Sequence, residues 1–180
     1  MEKILILAVN PGSTSTKFAV FEENRLLFEK TLRHTPMELE PYRKVTDQLR
    51  FRKDMIVKEL TARNVDFTRI RAIVGRGGLV KPIESGIYEV NDRMRRDLET
   101  GIMGEHASNL GGLIAADIAS SLPGAKAYIV DPVVVDELQP VARISGHPAI
   151  ERISIFHALN QKAVGRLYAS SAGRRYEDMN

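Results

Sequence analysis

The sequence NPGSTSTK at residues 10–17 places hydroxyl groups, a glycine and a lysine directly after a short apolar run. Phosphate oxygens are bound by backbone N–H groups, Ser or Thr hydroxyls and a positive charge. The motif supplies a glycine at residue 12, hydroxyl groups at residues 13–16 and a lysine at residue 17. The pattern is not a Walker A motif, because Lys17 leads into a predicted strand and not into a helix. A hairpin turn rich in Ser and Thr, with Asn10 and Gly12 serving the backbone alone, is the alternative interpretation.

Two further polar residues follow predicted strands. Arg76 lies in the sequence GRGG at 75–78, where glycines permit close approach and an arginine fork suits a carboxylate or a phosphate. Asp131 follows an apolar run, at the strand end where α/β folds place ligands. The alternatives are a glycine-rich turn with a solvated arginine and an Asp-Pro turn that opens the next loop.

Two histidines precede predicted helices. His106 lies in GEHASN at 104–109, and His157 lies in SIFH at 154–157. The spacing of this pair gives little support to metal binding, because neither histidine has a partner ligand one helical turn away. Each is either a candidate site residue or a polar residue satisfied by a backbone group.

The elements that would position these residues form an α/β pattern. A meander of three strands is followed by helix, strand, helix, strand and helix, which predicts a mixed five-stranded sheet flanked by helices. Because the carboxyl ends of parallel strands share one edge, Asn10, Arg76 and Asp131 are expected to converge there. That set of groups suggests phosphoryl transfer, in which positioning and charge neutralisation dominate. The predicted strands are 4–9, 16–21, 25–32, 70–74 and 127–130, and the predicted helices are 46–64, 92–99, 108–121 and 158–176.

Composition narrows the class of protein. The chain has 180 residues, a net charge of +3 and no cysteine, which excludes a disulfide framework, a thiolate metal site and a cysteine nucleophile. With 6% aromatic residues and nearly balanced charge, a nucleic-acid platform is poorly supported. The apolar runs are too short to cross a membrane and the N-terminus lacks the pattern of a secretory signal, so a cytoplasmic protein of one domain is expected.

Five motifs in order along the chain resemble the butyrate kinases of the acetokinase family. The resemblance extends from the first strand to the last helix. The motifs are NPGSTSTK at 10–17, GRGG at 75–78, EHASNL at 105–110, VDPVVVDE at 130–137 and SIFHALNQ at 154–161. The resemblance implies an actin- and hexokinase-like (ribonuclease H-like) fold. It also implies a magnesium-dependent reaction of ATP with butyrate to give ADP and butyryl phosphate.

The resemblance also implies roles for individual residues. It places Asn10 at the magnesium site and Arg76 at the carboxylate substrate, with Asp131 as the catalytic aspartate. It places His106 near the transferred phosphoryl group and gives His157 the stabilisation of the transition state. The residues expected near the nucleotide phosphates are Gly12, Ser13, Ser15 and Lys17.

Two departures from the family pattern bear on function. Acetate kinases carry a motif of the type FDTAFH where this chain has VDPVVVDE, which favours butyrate or a branched carboxylate, with acetate as a further alternative. The family is also about twice as long, so residues 1–180 are expected to form the N-terminal domain, without the nucleotide-binding domain and most of the contacts of the homo-oligomer. Little or no turnover is then expected from the chain alone. The alternative is a non-catalytic module that binds phosphate, a carboxylate or a partner chain.

Overall fold

The computed structural model describes residues 3–179 and begins with the predicted meander. Strand β1 (Leu5–Pro11) pairs antiparallel with β2 (Ser15–Glu22), which pairs antiparallel with β3 (Arg25–Arg33). Alternate residues of β1 are buried, as expected of a strand that turns one side chain in two toward the core. The two-residue turn between β2 and β3 places Glu23 at φ 53°, in the left-handed region that such tight turns require.

The second half of the sheet is built by crossovers. Strand β1 pairs parallel with β4 (Ile70–Arg76), and β4 pairs parallel with β6 (Lys126–Val130). A short edge strand, β5 (Tyr88–Glu89), pairs antiparallel with β6 and completes the order β3-β2-β1-β4-β6-β5. The carboxyl ends of β1, β4 and β6 therefore lie at one edge. The helices are α1 (Pro36–Leu39), α2 (Leu49–Ala62), α3 (Asp92–Thr100), α4 (Asn109–Ser120) and α5 (Ala158–Ser171).

The predicted α/β class is correct, and three details differ from the sequence prediction. Within residues 3–179 the sheet has six strands and not five; the two residues of β5 are too few to give a periodic signal in the sequence. Helix α2 is preceded by a 3₁₀ turn at Val45–Gln48. Helix α5 ends at Ser171 and not at residue 176, and Gly173 follows it at φ 65°, a left-handed conformation typical of helix ends.

The main core lies between one face of the sheet and helices α2 and α4. Leu7 and Val9 of β1 pack in one cluster with Ile56 and Leu60 of α2 and with Ile114 of α4. All of these side chains are almost fully removed from water, and their burial supplies the main driving force for this packing.

Helix α4 approaches the sheet unusually closely at two glycines. A Cβ atom on Gly75 of β4 would lie 2.2 Å from the carbonyl carbon and oxygen of Gly111 in α4. A Cβ atom on Gly111 would lie 2.8 Å from the carbonyl oxygen of Arg76. Glycine is therefore required on both sides of this contact. The contact holds α4 directly against the backbone of β4 at Gly75 and Arg76.

Within residues 3–179, no helix has both the length and the apolar character that crossing a membrane requires.

Candidate active site

A cavity of about 750 Å³ lies on the sheet face opposite α2 and α4 and reaches the carboxyl edge of the strands. The structure brings four of the predicted site residues to it: Asn10 from β1, Lys17 from β2, Arg76 from β4 and Asp131 after β6. The first turn of α5, with Leu159 and Asn160, forms part of the opposite wall. The remaining lining is mostly apolar and comes from residues such as Ala8, Phe21, Val74, Ile87, Val130 and Ala163.

Asp131 is the centre of a charged cluster at this edge. Its Oδ2 accepts hydrogen bonds from Nε of Arg76 at 3.1 Å and lies 3.0 Å from Nη2 of the same guanidinium. Nδ1 of His157 lies 2.9 Å from the same oxygen without the alignment of a hydrogen bond. The other oxygen, Oδ1, is buried and has no hydrogen-bond partner within residues 3–179. One oxygen is therefore occupied by protein groups, and the other remains available to a ligand.

The backbone around this cluster is shaped to present it. Asp131 adopts φ 50°, a left-handed conformation that Asp tolerates better than most residues, and this turns the chain sharply at the end of β6. The N–H of Gly77 donates to the carbonyl of Val130 at 2.9 Å, which links the two loops that carry Arg76 and Asp131. Gly77 itself has φ 88°, and a Cβ there would lie 2.8 Å from Cβ of Ser108.

The hairpin turn between β1 and β2 lies at the same edge of the sheet. Asn10 and Lys17 are paired in the β1–β2 ladder, so they share one face of the sheet and both line the cavity. Nζ of Lys17 also lies 2.9 Å from Oε2 of Glu29, in an ion pair whose two side chains are about half exposed. Such surface pairs contribute little free energy, and Glu29 is therefore a weak competitor for this lysine.

The other turn residues are separate from the cavity lining. Gly12, Ser13 and Ser15 form the turn itself, in which Gly12 N–H donates to the carbonyl of Ser15 at 2.7 Å. Ser13 is exposed at the tip of the turn. The structure places these residues next to Asn10 and Lys17 along the chain but shows no side-chain contact between them and the Asp131 cluster.

His106 is also a predicted site residue that does not line the cavity. Its Nδ1 accepts from the backbone N–H of Ser108 at 3.2 Å and lies 2.8 Å from Oγ of that residue. A ring nitrogen that accepts a backbone N–H carries no proton, so the proton of the neutral ring is on Nε2. Its partner Ser108 packs against Gly77, next to Arg76.

The sequence patterns did not predict the buried residues that support the turn of residues 12–16. Arg52 of α2 is fully buried, and it donates hydrogen bonds to the turn, while His34 and Gln48 contact it or its partners. The signal was present in the helical spacing. Arg52 lies four residues before Ile56 and eight before Leu60, which places it on the buried face of the helix.

The side-chain oxygens that could hold a cation in the cavity are few. Within residues 3–179, no group of three or more His, Asp or Glu side chains is arranged to hold a metal ion. Asn10 and Asp131 both line the cavity, and the second of them has the unpartnered Oδ1 atom. This donor set fits a Mg²⁺ ion that keeps most of its ligands from water and phosphate, and it does not fit a metal held by protein ligands alone.

Comparison with known proteins relates this chain to the butyrate kinases. No protein-family model matches the chain. Butyrate kinase 2 of Clostridium acetobutylicum is 56% identical over 178 residues, which are 99% of this chain and 50% of that protein. Butyrate kinase 1 of the same organism is 55% identical over 175 residues, which are 97% of this chain and 49% of that protein. The chain spans about half the length of the curated relatives it matches.

A solved structure confirms the fold class. The crystal structure of Porphyromonas gingivalis acetate kinase superimposes with a TM-score of 0.63, and the match covers 96% of this chain and 50% of that one. The two sequences are 17% identical there, so this likeness shows the shared actin-like fold and nothing finer. Together with the sequence identities above, it makes this chain a homologue of the butyrate kinases over about half of their length.

Proposed function

We propose that this chain is the N-terminal half of a carboxylate kinase that converts ATP and butyrate into ADP and butyryl phosphate. The observation that carries the proposal is the cluster of Arg76, Asp131 and His157 at the sheet edge, in a homologue of butyrate kinases. One carboxylate oxygen of butyrate would attack the γ-phosphorus while the bond from that phosphorus to the ADP oxygen breaks. Butyrate is favoured over acetate by the identities to butyrate kinases, and branched carboxylates are the neighbouring alternative.

Arg76 would bind the substrate carboxylate. The guanidinium has five N–H donors, and its contact with Asp131 engages Nε and Nη2, so donors remain for a second carboxylate. An arginine fork between two carboxylates offsets the repulsion that would otherwise keep butyrate away from Asp131. The apolar lining beyond Arg76 suits a short hydrocarbon chain.

Asn10 and Asp131 would hold the magnesium ion that accompanies ATP. Both are oxygen donors on one cavity, and Oδ1 of Asp131 is buried without a protein partner within residues 3–179. When bound, Mg²⁺ neutralises charge on the phosphate oxygens. Asp131 has a second task through Oδ2, which orients Arg76 and places His157 beside the reacting groups.

The remaining predicted residues would bind the phosphates and the transferred group. Lys17 and the turn formed by Gly12, Ser13 and Ser15 offer a positive charge, hydroxyls and backbone N–H groups. His157 would donate to the equatorial oxygens of the transferred group, which carry most of its charge. His106 can do the same as a neutral ring, since its proton is on Nε2, but it must first come closer to the cluster.

Turnover is expected to need the other half of the enzyme. The curated relatives are about twice as long as the segment they share with this chain. Within residues 3–179, the proposed site would supply ligands for the carboxylate and magnesium and a turn that binds phosphate. We infer that it forms one wall of a two-domain cleft. Residues 1–180 would then be a single domain of that enzyme.

A fusion protein tests the proposal. Residues 1–180 are joined to the second half of C. acetobutylicum butyrate kinase 2, and butyryl phosphate is trapped with hydroxylamine. Activity with butyrate that exceeds activity with acetate and isobutyrate supports the proposal. Asp131→Asn should lower kcat about 10²–10³-fold, the range for loss of one group that stabilises charge in the transition state, while the matched exposed control Asp54→Asn should not.

Two controls decide between the alternatives. The first control joins the first half of C. acetobutylicum butyrate kinase 2 to its own second half at the same junction, which shows whether the junction permits activity. If that control is active and the fusion is not, the kinase proposal is wrong. Phosphate or butyrate binding by an inactive fusion would then favour the non-catalytic binding module.

A further inference from the structure

Arg52 is a fully buried arginine that no carboxylate within residues 3–179 neutralises. Burying an unpaired guanidinium costs free energy unless its N–H donors find hydrogen-bond acceptors. The acceptors that Arg52 contacts therefore indicate its structural role. Burial lowers the pKa of Arg52 from its ordinary value, but an arginine remains charged at neutral pH. The molecule therefore maintains a positive charge directly beneath the hairpin turn of residues 12–16.

The guanidinium binds the turn almost entirely through backbone carbonyls. Nη1 donates to the carbonyl of Gly12 at 2.7 Å and to that of Ser15 at 2.9 Å, and Nη2 donates to the carbonyl of Ser13 at 3.0 Å. Gln48, four residues before Arg52, orients the guanidinium. Its Oε1 accepts hydrogen bonds from Nε of Arg52 at 3.0 Å and from Nη2 at 2.8 Å. The carbonyl of Thr14 accepts from the backbone N–H of His34 at 2.9 Å. Each carbonyl of residues 12–15 is thus directed into the protein.

The direction of the carbonyls fixes the direction of the amides. In a trans peptide, the C=O and N–H groups of one plane point in opposite directions. Because the carbonyls of Gly12 and Ser13 point at Arg52, the N–H groups of Ser13 and Thr14 point away from it. Both residues are exposed, so these N–H groups face outward at the tip of the turn. Adjacent outward N–H groups of this kind form an anion-binding concavity.

Thr16 and His34 extend the hydrogen-bond network of Arg52 without adding charge. Oγ1 of Thr16 accepts from Nη1 of Arg52 at 3.0 Å, so its own proton is available to Nε2 of His34 at 2.9 Å. Burial, and then the nearby charge of Arg52, lower the pKa of His34, while Glu38 acts weakly in the opposite direction. His34 is therefore neutral at pH 7, and Arg52 alone supplies the positive charge of this network.

We propose that Arg52 is a positioning residue for phosphate binding, which holds the carbonyls of Gly12, Ser13 and Ser15 inward and so presents the amides of Ser13 and Thr14 to a phosphate group. The positioning rests on the contacts above, and the phosphate part rests on the proposed function. Arg52 is also too deeply buried to touch a ligand itself. Its effect on binding is transmitted through the backbone of the turn.

The test uses the 180-residue chain, its ¹⁵N-resolved amide signals and inorganic pyrophosphate as the probe. Arg52→Lys keeps the charge but replaces the fork by a single nitrogen, and Arg50→Lys is the matched control because Arg50 is exposed on the same helix. We expect Arg52→Lys to shift the Ser13 and Thr14 amide signals and to weaken pyrophosphate binding at least tenfold. Butyrate binding should stay within twofold, because Arg76 is not part of this network. General unfolding would weaken both ligands together, so the contrast between them separates positioning from structural damage.

The possible outcomes are distinguishable. Wild-type affinity for pyrophosphate in a folded Arg52→Lys chain overturns this inference and leaves the proposed function untouched. Absence of pyrophosphate binding to the unaltered chain overturns the phosphate site, and with it both this role of Arg52 and that part of the proposed function. If Arg52→Lys does not fold, Gln48→Met decides by the same comparison, since it removes the acceptor that aims the fork. Gln48→Met should weaken pyrophosphate binding about threefold, and unchanged binding contradicts the inference.

Discussion

Replacing Gly75 by alanine should separate α4 from the sheet. The added Cβ would lie 2.2 Å from the carbonyl carbon and oxygen of Gly111, whereas ordinary contact begins at 3.4 Å. The helix or the strand must therefore retreat by about 1.2 Å, and both atoms that resist it belong to backbone. Overpacking of a core costs about 1–3 kcal/mol when side chains can adjust, and backbone adjusts less. We expect Gly75→Ala to lower the free energy of unfolding by about 3 kcal/mol or more.

The same substitution elsewhere in the chain gives a graded control. Gly111→Ala meets the carbonyl oxygen of Arg76 at 2.8 Å and should cost less than Gly75→Ala. At Gly146 nothing lies within 4 Å of the added Cβ, and alanine there should be neutral or stabilise by up to about 1 kcal/mol through the unfolded chain. Urea unfolding followed by circular dichroism measures all three. A Gly75→Ala chain within about 0.5 kcal/mol of wild type would refute the close-contact argument.

Three further predictions concern charge and capping. The lowered pKa of His34 means that below about pH 6.5 the unfolded chain binds a proton that the folded chain does not, so stability is full above that pH and falls below it. Urea unfolding from pH 5.5 to 8 should show this slope, at most about 1.4 kcal/mol per pH unit, and His34→Gln should flatten it; an unchanged slope contradicts the assignment. Arg76→Ala should weaken butyrate binding to the 180-residue chain at least about tenfold by titration calorimetry, and equal affinity would remove Arg76 from the carboxylate site. Asn91→Ala removes the side chain that accepts from Met94 N–H at 2.9 Å and should cost about 1 kcal/mol, which a thermal melt detects; an unaltered melting temperature would argue against this cap.

The strand-and-turn pattern of the sequence predicts five of the six strands of the sheet and the edge at which the candidate site lies. Asn10, Arg76 and Asp131 each follow a buried run, and parallel pairing of β1, β4 and β6 brings them to one cavity. The strand β5 was missed because its pairing with β6 depends on tertiary context and not on its own periodicity.

Contacts inside the site were less predictable. Asp131 uses one oxygen for Arg76, and its other oxygen has no partner in the described part of the chain. This arrangement depends on its left-handed backbone, which Asp-Pro permits but does not require. The burial of Arg52 was not predicted, because a charged residue in an amphipathic helix is normally assigned to the solvent face. His106 was expected near the reacting groups, but its place in the loop before α4 is set by Ser108, a contact that spacing does not reveal.

The mixed order of the sheet has a consequence for the time course of folding. Asn10 and Lys17 pair across a short hairpin, whereas Val74 must find Ala8 and Tyr128 across long stretches of chain. Closing long loops costs entropy before any contact repays it, so parallel pairing is slow. The hairpin turn of residues 12–16, His34 and Arg52 all lie within residues 5–62, so this part of the chain can become ordered during synthesis before β4 and β6 are made. The strands that carry Arg76 and Asp131 are then added to a hairpin that is already formed.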